Sequence, residues 1–320
     1  MPRSVFLPDK FTLSLVAAVG LASTLPARGV VADVLGVATT LAVGLLFLLH
    51  GARLSRHAIL DGLLHWRLHL LVFACGFVLY TLLGLALRPV LLPLVTPALY
   101  KGVLYLCVLP GTVQSAITFV SMARGNVPAA ICNTSASTML GVFITPLLVG
   151  FIVVPGAAAA SSFDSIGRIL IQLMVPFVVG HLLLPWIGGW ASRHEKTLKL
   201  VDQGSILLVV FTAFSAAVVG GLWGRIPTTA LGGLVLVCLV LLALALLCTT
   251  WLARRLRFNK ADEIAIVFCA STKGLASGIA IASVLFSASV MGMMVLPIML
   301  FHQIQLMVGA VLARRYPGGG

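Results

Sequence analysis

The stretch FCASTKGLASG at Phe268–Gly278 combines a lysine with two glycines between the apolar runs EIAIV and IAIASVLF. Glycine weakens a helix because it has no side chain and the most backbone freedom to lose. A charged side chain inside a bilayer is expensive, so it faces protein or water rather than lipid. We therefore expect a broken membrane helix whose Lys273 points into the protein.

The composition of the whole chain supports a membrane environment. Of 320 residues, 60% are hydrophobic and only 9% are charged, whereas soluble proteins have about 25% charged residues. The mean hydropathy is +1.14, and apolar runs recur at the length needed to cross a bilayer core of about 30 Å. The sequence predicts an all-α polytopic membrane protein.

Ten apolar stretches are long enough to be transmembrane helices. We interpret the first as a helix rather than a signal peptide, because no clear A-x-A cleavage site follows it. The predicted spans lie near residues 11–28, 30–50, 68–88, 98–123, 127–153, 164–187, 203–223, 229–253, 262–286 and 288–313.

The net charge of +13 arises from short basic clusters between the spans. With both termini in the cytoplasm, fifteen of the 21 basic residues fall on the cytoplasmic side and five on the other. This bias is the usual one for membrane proteins, so the charge indicates topology and not nucleic-acid binding. The six cysteines lack metal-site spacing and are expected to be buried free thiols.

The two halves of the chain resemble each other. A small, nearly uncharged connection at Val153–Ser165 separates SASTMLGVFITP (Ser135–Pro146) from SASVMGMMVLP (Ser287–Pro297), which lie about half the chain apart. We predict one five-helix repeat at 1–153 and a second at 164–315. Five spans in each half would invert the second copy, as is common in secondary transporters.

Polar residues interrupt the fourth and ninth predicted spans at corresponding positions, which is the best sequence indicator of a transporter's binding site. A simple proline kink is the alternative for the fourth span. The predicted helix breaks are Pro110, Gly111, Gly274 and Gly278. The candidate substrate or ion ligands beside them are Thr112, Gln114, Ser115, Ser271, Thr272, Lys273 and Ser277.

Two further spans carry polar candidates. Asn133, Thr134 and Ser137 in the fifth span could bind substrate or ion, or could join neighbouring helices by hydrogen bonds. His302 and Gln305 in the tenth span lie three residues apart and share a helix face. His302 is a candidate for proton relay or substrate contact, with a structural histidine as the alternative.

Four motifs carry a family resemblance: PGTVQSAITFVSMARGN from Pro110, AAICNTSAS from Ala129, FCASTKGLASG and FHQIQLMVGAVLARR from Phe301. Over most of its length the chain resembles the bile acid:sodium symporter superfamily, and most closely its bacterial SBF-like subgroup. The resemblance implies ten helices in two inverted repeats, with the broken helices 4 and 9 crossing near sodium and substrate. It also implies a mobile pair of domains, a core from helices 3–5 and 8–10 and a panel from helices 1–2 and 6–7.

The resemblance implies that sodium ligands fall at Gln114, Ser115, Thr134 and Ser271. Sodium-coupled members keep a glutamate on the ninth helix, and its matching position here is Val267. The expected carboxylate is therefore missing beside the lysine of the same segment.

Lys273 has no acidic partner within the predicted spans except near their ends. It could snorkel to the surface, lose its proton, or stay charged against carbonyls or an anionic substrate. Our leading hypothesis is that its ammonium occupies or adjoins the sodium space and holds the crossing carbonyls together. A fixed ammonium would make transport sodium-independent, and a titrating one would couple it to protons.

These features predict a secondary active transporter, an ion-coupled symporter of a small and amphipathic organic anion, in a bacterial inner membrane. Sodium or a proton is the expected coupling ion, with no other cofactor. The expected partners are the substrate and the lipid bilayer, without nucleic acid, and the protein is expected to be a monomer or weak homodimer. The alternatives are a sodium-independent or proton-coupled carrier and a non-transporting regulatory membrane protein. A channel is disfavoured because no span is strongly amphipathic, and an enzyme because the sequence offers no nucleophile–base pair or phosphate loop.

Overall fold

The computed structural model describes residues 10–52, 65–153 and 162–316, and every regular element in these ranges is a helix. The connection predicted between the two halves falls mainly on residues 154–161, outside the described residues, as do Arg3, Arg53 and Arg56 of the charge pattern. The predicted all-helical class is confirmed.

The described chain forms fifteen α-helices and two π-helical segments. The α-helices are α1 (Lys10–Thr24), α2 (Val30–Ala52), α3 (Trp66–Phe73), α4 (Tyr80–Ala86), α5 (Arg88–Leu91), α6 (Pro97–Cys107), α7 (Gln114–Met122), α8 (Val127–Leu148), α9 (Ser162–Arg193), α10 (Glu195–Val219), α11 (Leu222–Arg225), α12 (Thr228–Arg255), α13 (Lys260–Ser271), α14 (Leu275–Leu285) and α15 (Ala288–Arg315). The π-helical segments are Ala74–Leu79, which joins α3 to α4, and Val149–Val153, which extends α8.

Seven helical stretches in the described residues are long and apolar enough to cross a membrane. Each of the ten predicted spans coincides with a helix, a continuous set of segments or a pair of half-helices. The fourth span does not qualify by length because it is divided into helices of 11 and 9 residues. A multi-pass membrane protein is confirmed, whereas the count of ten and the inverted repeats stay predictions.

The turns at the ends of α7 and α12 meet each other. Each contains an arginine with positive φ, Arg124 or Arg257, followed two residues later by an asparagine that caps the next helix. The Asn126 amide also donates to the carboxylate of Asp262 at 2.7 Å, while the Asn259 amide donates to the other oxygen of that carboxylate. These contacts lock the start of α8 to the start of α13.

Glycines allow α2 and α9 to pack backbone to backbone. A Cβ on Gly51 would overlap the carbonyl oxygen of Phe177, and one on Gly180 would overlap that of Leu48. Small residues at such crossings let membrane helices approach closely. The pair α2 and α9, together with α10, forms one packed group of helices.

The helix α13 lies in the centre of a second group, with α3, α7, α8 and α12 packed against it. Every residue from Asp262 to Leu275 is buried. A polar or charged side chain in this stretch must therefore find its partners inside the protein.

Candidate functional site at the crossing of two broken helices

Two helix interruptions face each other in the protein interior. The first separates α6 from α7 and contains Pro110 and Gly111, and the second separates α13 from α14 and contains Lys273 and Gly274. The Gly274 amide donates to the carbonyl of Pro110 at 2.9 Å. The structure therefore brings the two predicted breaks into direct backbone contact.

Gly278 does not take part in the second break. It lies within α14, where an added Cβ would be 2.7 Å from a methyl group of Leu109 and 2.9 Å from one of Ile298. Its lack of a side chain permits close packing against the first break. The assignment of Gly278 as a helix break is thus corrected to a packing position.

The backbone groups released at the first break find side-chain partners on α8. The Gly111 amide donates to the hydroxyl of Ser137 at 3.2 Å, and the hydroxyl of Thr145 donates to the carbonyl of Val108 at 2.8 Å. Non-helical backbone at membrane depth requires such partners because lipid offers none. Ser137 was identified from the sequence, and Thr145 was not.

Two buried tyrosines bind the second interrupted helix. The hydroxyl of Tyr80 donates to the carbonyl of Ser271, the last residue of α13, at 2.6 Å. The hydroxyl of Tyr105 donates to the carbonyl of Gly278 in α14, also at 2.6 Å. Sequence reasoning missed both, although a tyrosine in an apolar span requires a partner for its hydroxyl.

The ammonium of Lys273 is held by three backbone carbonyls. The side chain is only 1% exposed, and Nζ donates to Gly76 at 2.6 Å, to Leu109 at 2.8 Å and to Cys107 at 3.0 Å. An ammonium has three hydrogens to donate, so each has an acceptor. Snorkelling to the surface is excluded.

The sources of these carbonyls explain how a cation is stabilised without a carboxylate. Cys107 and Leu109 lie at and just beyond the end of α6, where the helix dipole is negative. Gly76 lies in the π-helical segment, where the amide of Tyr80 bonds to Cys75 instead of Gly76. The ring of Tyr80 also lies 4.2 Å from Nζ, a favourable cation–π distance.

Gln305 on α15 holds the backbone of Lys273. Its Oε1 accepts from the Lys273 amide at 2.7 Å, and its Nε2 donates to the Lys273 carbonyl at 2.8 Å. The same Nε2 lies 2.8 Å from Nδ1 of His302. The break, the lysine and the two polar residues predicted in the last helix thus form one connected unit.

A model of the SBF-like CPA transporter family matches residues 9–317. The chain belongs to this family. It is a membrane transporter, as the sequence predicted.

Relatives of this family member align over nearly their whole lengths. "Uncharacterized protein PA2026" of Pseudomonas aeruginosa is 60% identical over 99% of this chain and 95% of its own. "Putative symporter YfeH" of Escherichia coli is 56% identical over 96% of this chain and 92% of its own. "Sodium/bile acid cotransporter 7" of Rattus norvegicus is 27% identical over 94% of this chain and 90% of its own.

The groups of this SBF-like transporter that the resemblance pointed to as sodium ligands are engaged separately. The hydroxyls of Thr134 and Ser271 donate to carbonyls of their own helices, and that of Ser115 donates to a neighbouring threonine. The side chain of Gln114 is exposed, and Val267 supplies no carboxylate. As they stand these groups do not fit a sodium ion, and no ligand role is assigned to them.

Two other candidates beside the breaks also bond locally. The hydroxyl of Thr272 donates to the carbonyl of Phe268 at 2.8 Å, and that of Ser277 donates to the carbonyl of Gly274 at 3.3 Å. Both satisfy groups near helix ends, and Ser277 keeps a partly exposed side chain.

Asn133 pairs with a residue that sequence reasoning did not single out. Its amide nitrogen lies 3.0 Å from Nδ1 of His69 on α3. Both side chains are buried, and the Oδ1 atom of Asn133 has no hydrogen-bond partner among the described residues. The pair joins α3 to α8, as expected of the alternative in which polar residues link neighbouring membrane helices.

The second half of each broken helix starts without a side-chain cap. Neither Val113 before α7 nor Gly274 before α14 accepts a hydrogen bond from the helix it precedes through a side chain. The first amides of a helix have no intrahelical acceptor, and the dipole is positive there. These two helix starts can attract an anion near the crossing.

Proposed function

We propose that this transporter carries a small organic anion by alternating access, and that the ammonium of Lys273 takes the place of a coupling cation. The observation that carries the proposal is the set of three carbonyl contacts made by Nζ. Carbonyl oxygens are the ligands that a hard cation would otherwise find at a broken helix. Here a cation is supplied by the chain itself.

The substrate class is argued from the helix starts and from the relatives. The uncapped starts of α7 and α14 offer amides and positive dipole ends. The exposed or partly exposed side chains of Thr112, Gln114, Ser115 and Ser277 lie beside them. The name of the rat relative, a sodium/bile acid cotransporter, supports an amphipathic organic anion.

Alternating access requires two bodies that move against each other. We assign helices α3–α8 and α12–α15 to a core and α1, α2, α9 and α10 to a panel. The close packing of α2 on α9 and of α1 and α2 on α10 supports the panel. Within the core, Lys273 ties the end of α6 and the π-helical segment to the second break, so that these parts move together.

A fixed ammonium makes sodium unnecessary and unfavourable at this position. Two unit charges about 4 Å apart repel by about 4 kcal/mol at an effective dielectric constant of 20. Sodium bound directly beside Nζ would meet this repulsion without a neutralising carboxylate. We therefore propose sodium-independent transport, in a bacterial inner membrane with both termini in the cytoplasm.

Coupling to protons is the second candidate. Its support is the burial of Lys273 among carbonyls rather than carboxylates, since a lysine without a counter-ion can release its proton. In that case the rate of uptake would depend on the pH gradient and still be independent of sodium.

The test is uptake of a panel of organic anions by proteoliposomes, after a thermal-shift screen of the same anions with and without sodium and across pH. The expected result is saturable uptake that does not respond to sodium and is lost in Lys273→Ala. The control is Lys101→Ala, which alters an exposed lysine on α6 and should keep wild-type uptake.

Two outcomes would contradict the proposal. Sodium-stimulated uptake that survives Lys273→Ala would show a conventional sodium-coupled carrier. Ligand-induced stabilisation without uptake of any stabilising anion would favour a non-transporting regulatory protein.

A further inference from the structure

The orientation of the Gln305 amide is determined by the backbone of Lys273. Oε1 accepts from the Lys273 amide and Nε2 donates to its carbonyl. Exchanging the two ends would place a donor against a donor and an acceptor against an acceptor, and both hydrogen bonds would be lost. The Nε2 group therefore faces His302 with its second hydrogen.

This orientation determines the protonation of His302. Because Nε2 of Gln305 can only donate, Nδ1 of His302 must accept this hydrogen bond. An Nδ1 atom that accepts a hydrogen bond carries no proton. His302 is then neutral, with its proton on Nε2. A proton on Nδ1 would bring two N–H donors, one from His302 and one from Gln305, within 2.8 Å of each other.

We propose that His302 is a proton-binding site that controls the grip of Gln305 on Lys273. Protonation of Nδ1 forces Gln305 and His302 apart, which breaks the two-point contact with the Lys273 backbone. Loss of that contact loosens the second break and the ammonium that it carries. Histidine is suited to this role because it ordinarily takes up a proton between pH 5 and 8.

Several elements packed against α15 carry charged or titratable side chains. The elements packed against α15 include α6, α7, α10, α12 and α14, and α4, whose Tyr80 ring contacts Phe301; α7 and α14 carry no titratable side chain. The groups on the other elements and at the break are Tyr80, Tyr100, Lys101, Tyr105, Cys107, Glu195, Lys196, Lys199, Asp202, Cys238, Cys248, Arg254, Arg255 and Lys273.

Hydrogen bonds through Gln305 connect Lys273 to His302. An imidazolium at His302 would add a second positive charge to the site. The repulsion would act in the same direction as the clash of donors, since both favour separation of α15 from the break.

This step rests on the proposed function. In it, the ammonium of Lys273 holds the crossing of the broken helices together, whereas a proton at His302 loosens it. The neutral histidine holds the crossing together, and the charged one releases it. The pH would then set how readily the core changes conformation, without any proton leaving Lys273.

The first test is the protonation of the histidines in detergent-solubilised protein labelled with ¹⁵N-histidine. The signal of His302 is identified among the seven histidines by its loss in His302→Asn. At pH 7.5 we expect a neutral ring with a proton on Nε2 only. A signal from Nδ1–H, or from a charged ring, at this pH would overturn the proposal.

The second test is the melting temperature between pH 7.5 and 5.5 for the wild type and His302→Asn. Asparagine places Oδ1, an acceptor that does not titrate, at the same bond distance from the backbone as Nδ1. Because the unfolded state takes up a proton at His302 more readily than the folded state, stability falls as the pH falls. The wild type should therefore lose more of its melting temperature than His302→Asn when the pH is lowered from 7.5 to 5.5. An equal loss in the two proteins would overturn the proposal.

His194→Asn is the matched control, because His194 is exposed, lies between α9 and α10 and is bonded to the carbonyl of Trp190 in α9. Between pH 7.5 and 5.5, His194→Asn should lose as much of its melting temperature as the wild type. Both measurements are made without substrate. A failure of the transport proposal therefore leaves their outcomes unchanged, and their failure does not bear on whether an anion is carried.

Discussion

The ammonium nitrogen of Lys273 lies 2.8 Å from the carbonyl oxygen of Leu109, a residue 164 positions away in the chain. One residue belongs to the second broken helix and the other follows the end of α6. The lysine carries a charge where helix breakage has left acceptors without donors. The contact therefore gives a partner both to a buried cation and to a backbone carbonyl that has no helical donor, and each would be costly to leave unpaired.

Replacement of Lys273 by methionine should destabilise the protein. The change keeps an apolar chain of similar length and leaves the carbonyls of Gly76, Cys107 and Leu109 without this donor. An unsatisfied buried polar group costs about 1–3 kcal/mol. We expect a lower melting temperature in detergent, with Lys101→Met, on an exposed side chain, unchanged. An unaltered melting temperature for Lys273→Met would show that the three contacts contribute no net stability.

Removal of the Tyr80 hydroxyl tests the anchoring of α13. Tyr80→Phe keeps the buried ring and deletes the 2.6 Å hydrogen bond to the carbonyl of Ser271. The expected loss is about 0.5–1.5 kcal/mol, measured as a lower melting temperature. Tyr316→Phe, at the end of the last helix, should have a smaller effect, and equal effects would contradict the role of Tyr80.

A methyl group at Gly141 tests the packing of α8 on the first break. A Cβ there would lie 2.6 Å from Cβ of Pro110, so Gly141→Ala must displace the proline. Overpacking of this kind costs about 1–3 kcal/mol, and unfolding in denaturant should shift to lower concentration. At Gly232 on α12 nothing lies within 4 Å of an added Cβ. Gly232→Ala should be neutral or stabilising, by up to about 1 kcal/mol.

Asn126 tests the junction between α8 and α13. Asn126→Ala removes the cap on the Ala129 amide and the donor to Asp262. Loss of the cap alone costs about 0.5–2 kcal/mol, and a buried carboxylate loses one of its partners. We expect a clear fall in the melting temperature, whereas Ser121→Ala, an exposed position, should leave it within experimental error. A fall of similar size in both variants would indicate a general sensitivity of this turn.

The breaks at Pro110, Gly111 and Gly274 were predictable because their causes are local. Proline cannot donate to the helix, and glycine loses more freedom than other residues when it joins one. Gly278 was misassigned because a glycine in an apolar run can mark either a break or a close contact. Only its distances to Leu109 and Ile298 distinguish the two.

The burial of Lys273 was also predictable, because a charge at membrane depth must face the protein. The acceptors were not predictable. The carbonyl of Gly76 becomes available only through a π-helical turn, and Cys107 and Leu109 contribute through their backbones, which the side-chain pattern does not report. His69 escaped notice for a related reason, since its pairing with Asn133 joins residues 64 positions apart.

Composition and local backbone preference were sufficient for the membrane class, the helical spans and two of the interruptions, because each depends on neighbouring residues alone. The partners of the ammonium and the two-point contact of Gln305, on which the proposed protonation of His302 rests, were visible only in the packed chain. These hydrogen bonds join segments that are distant in the sequence. Their donors and acceptors meet only when the two broken helices pack against each other.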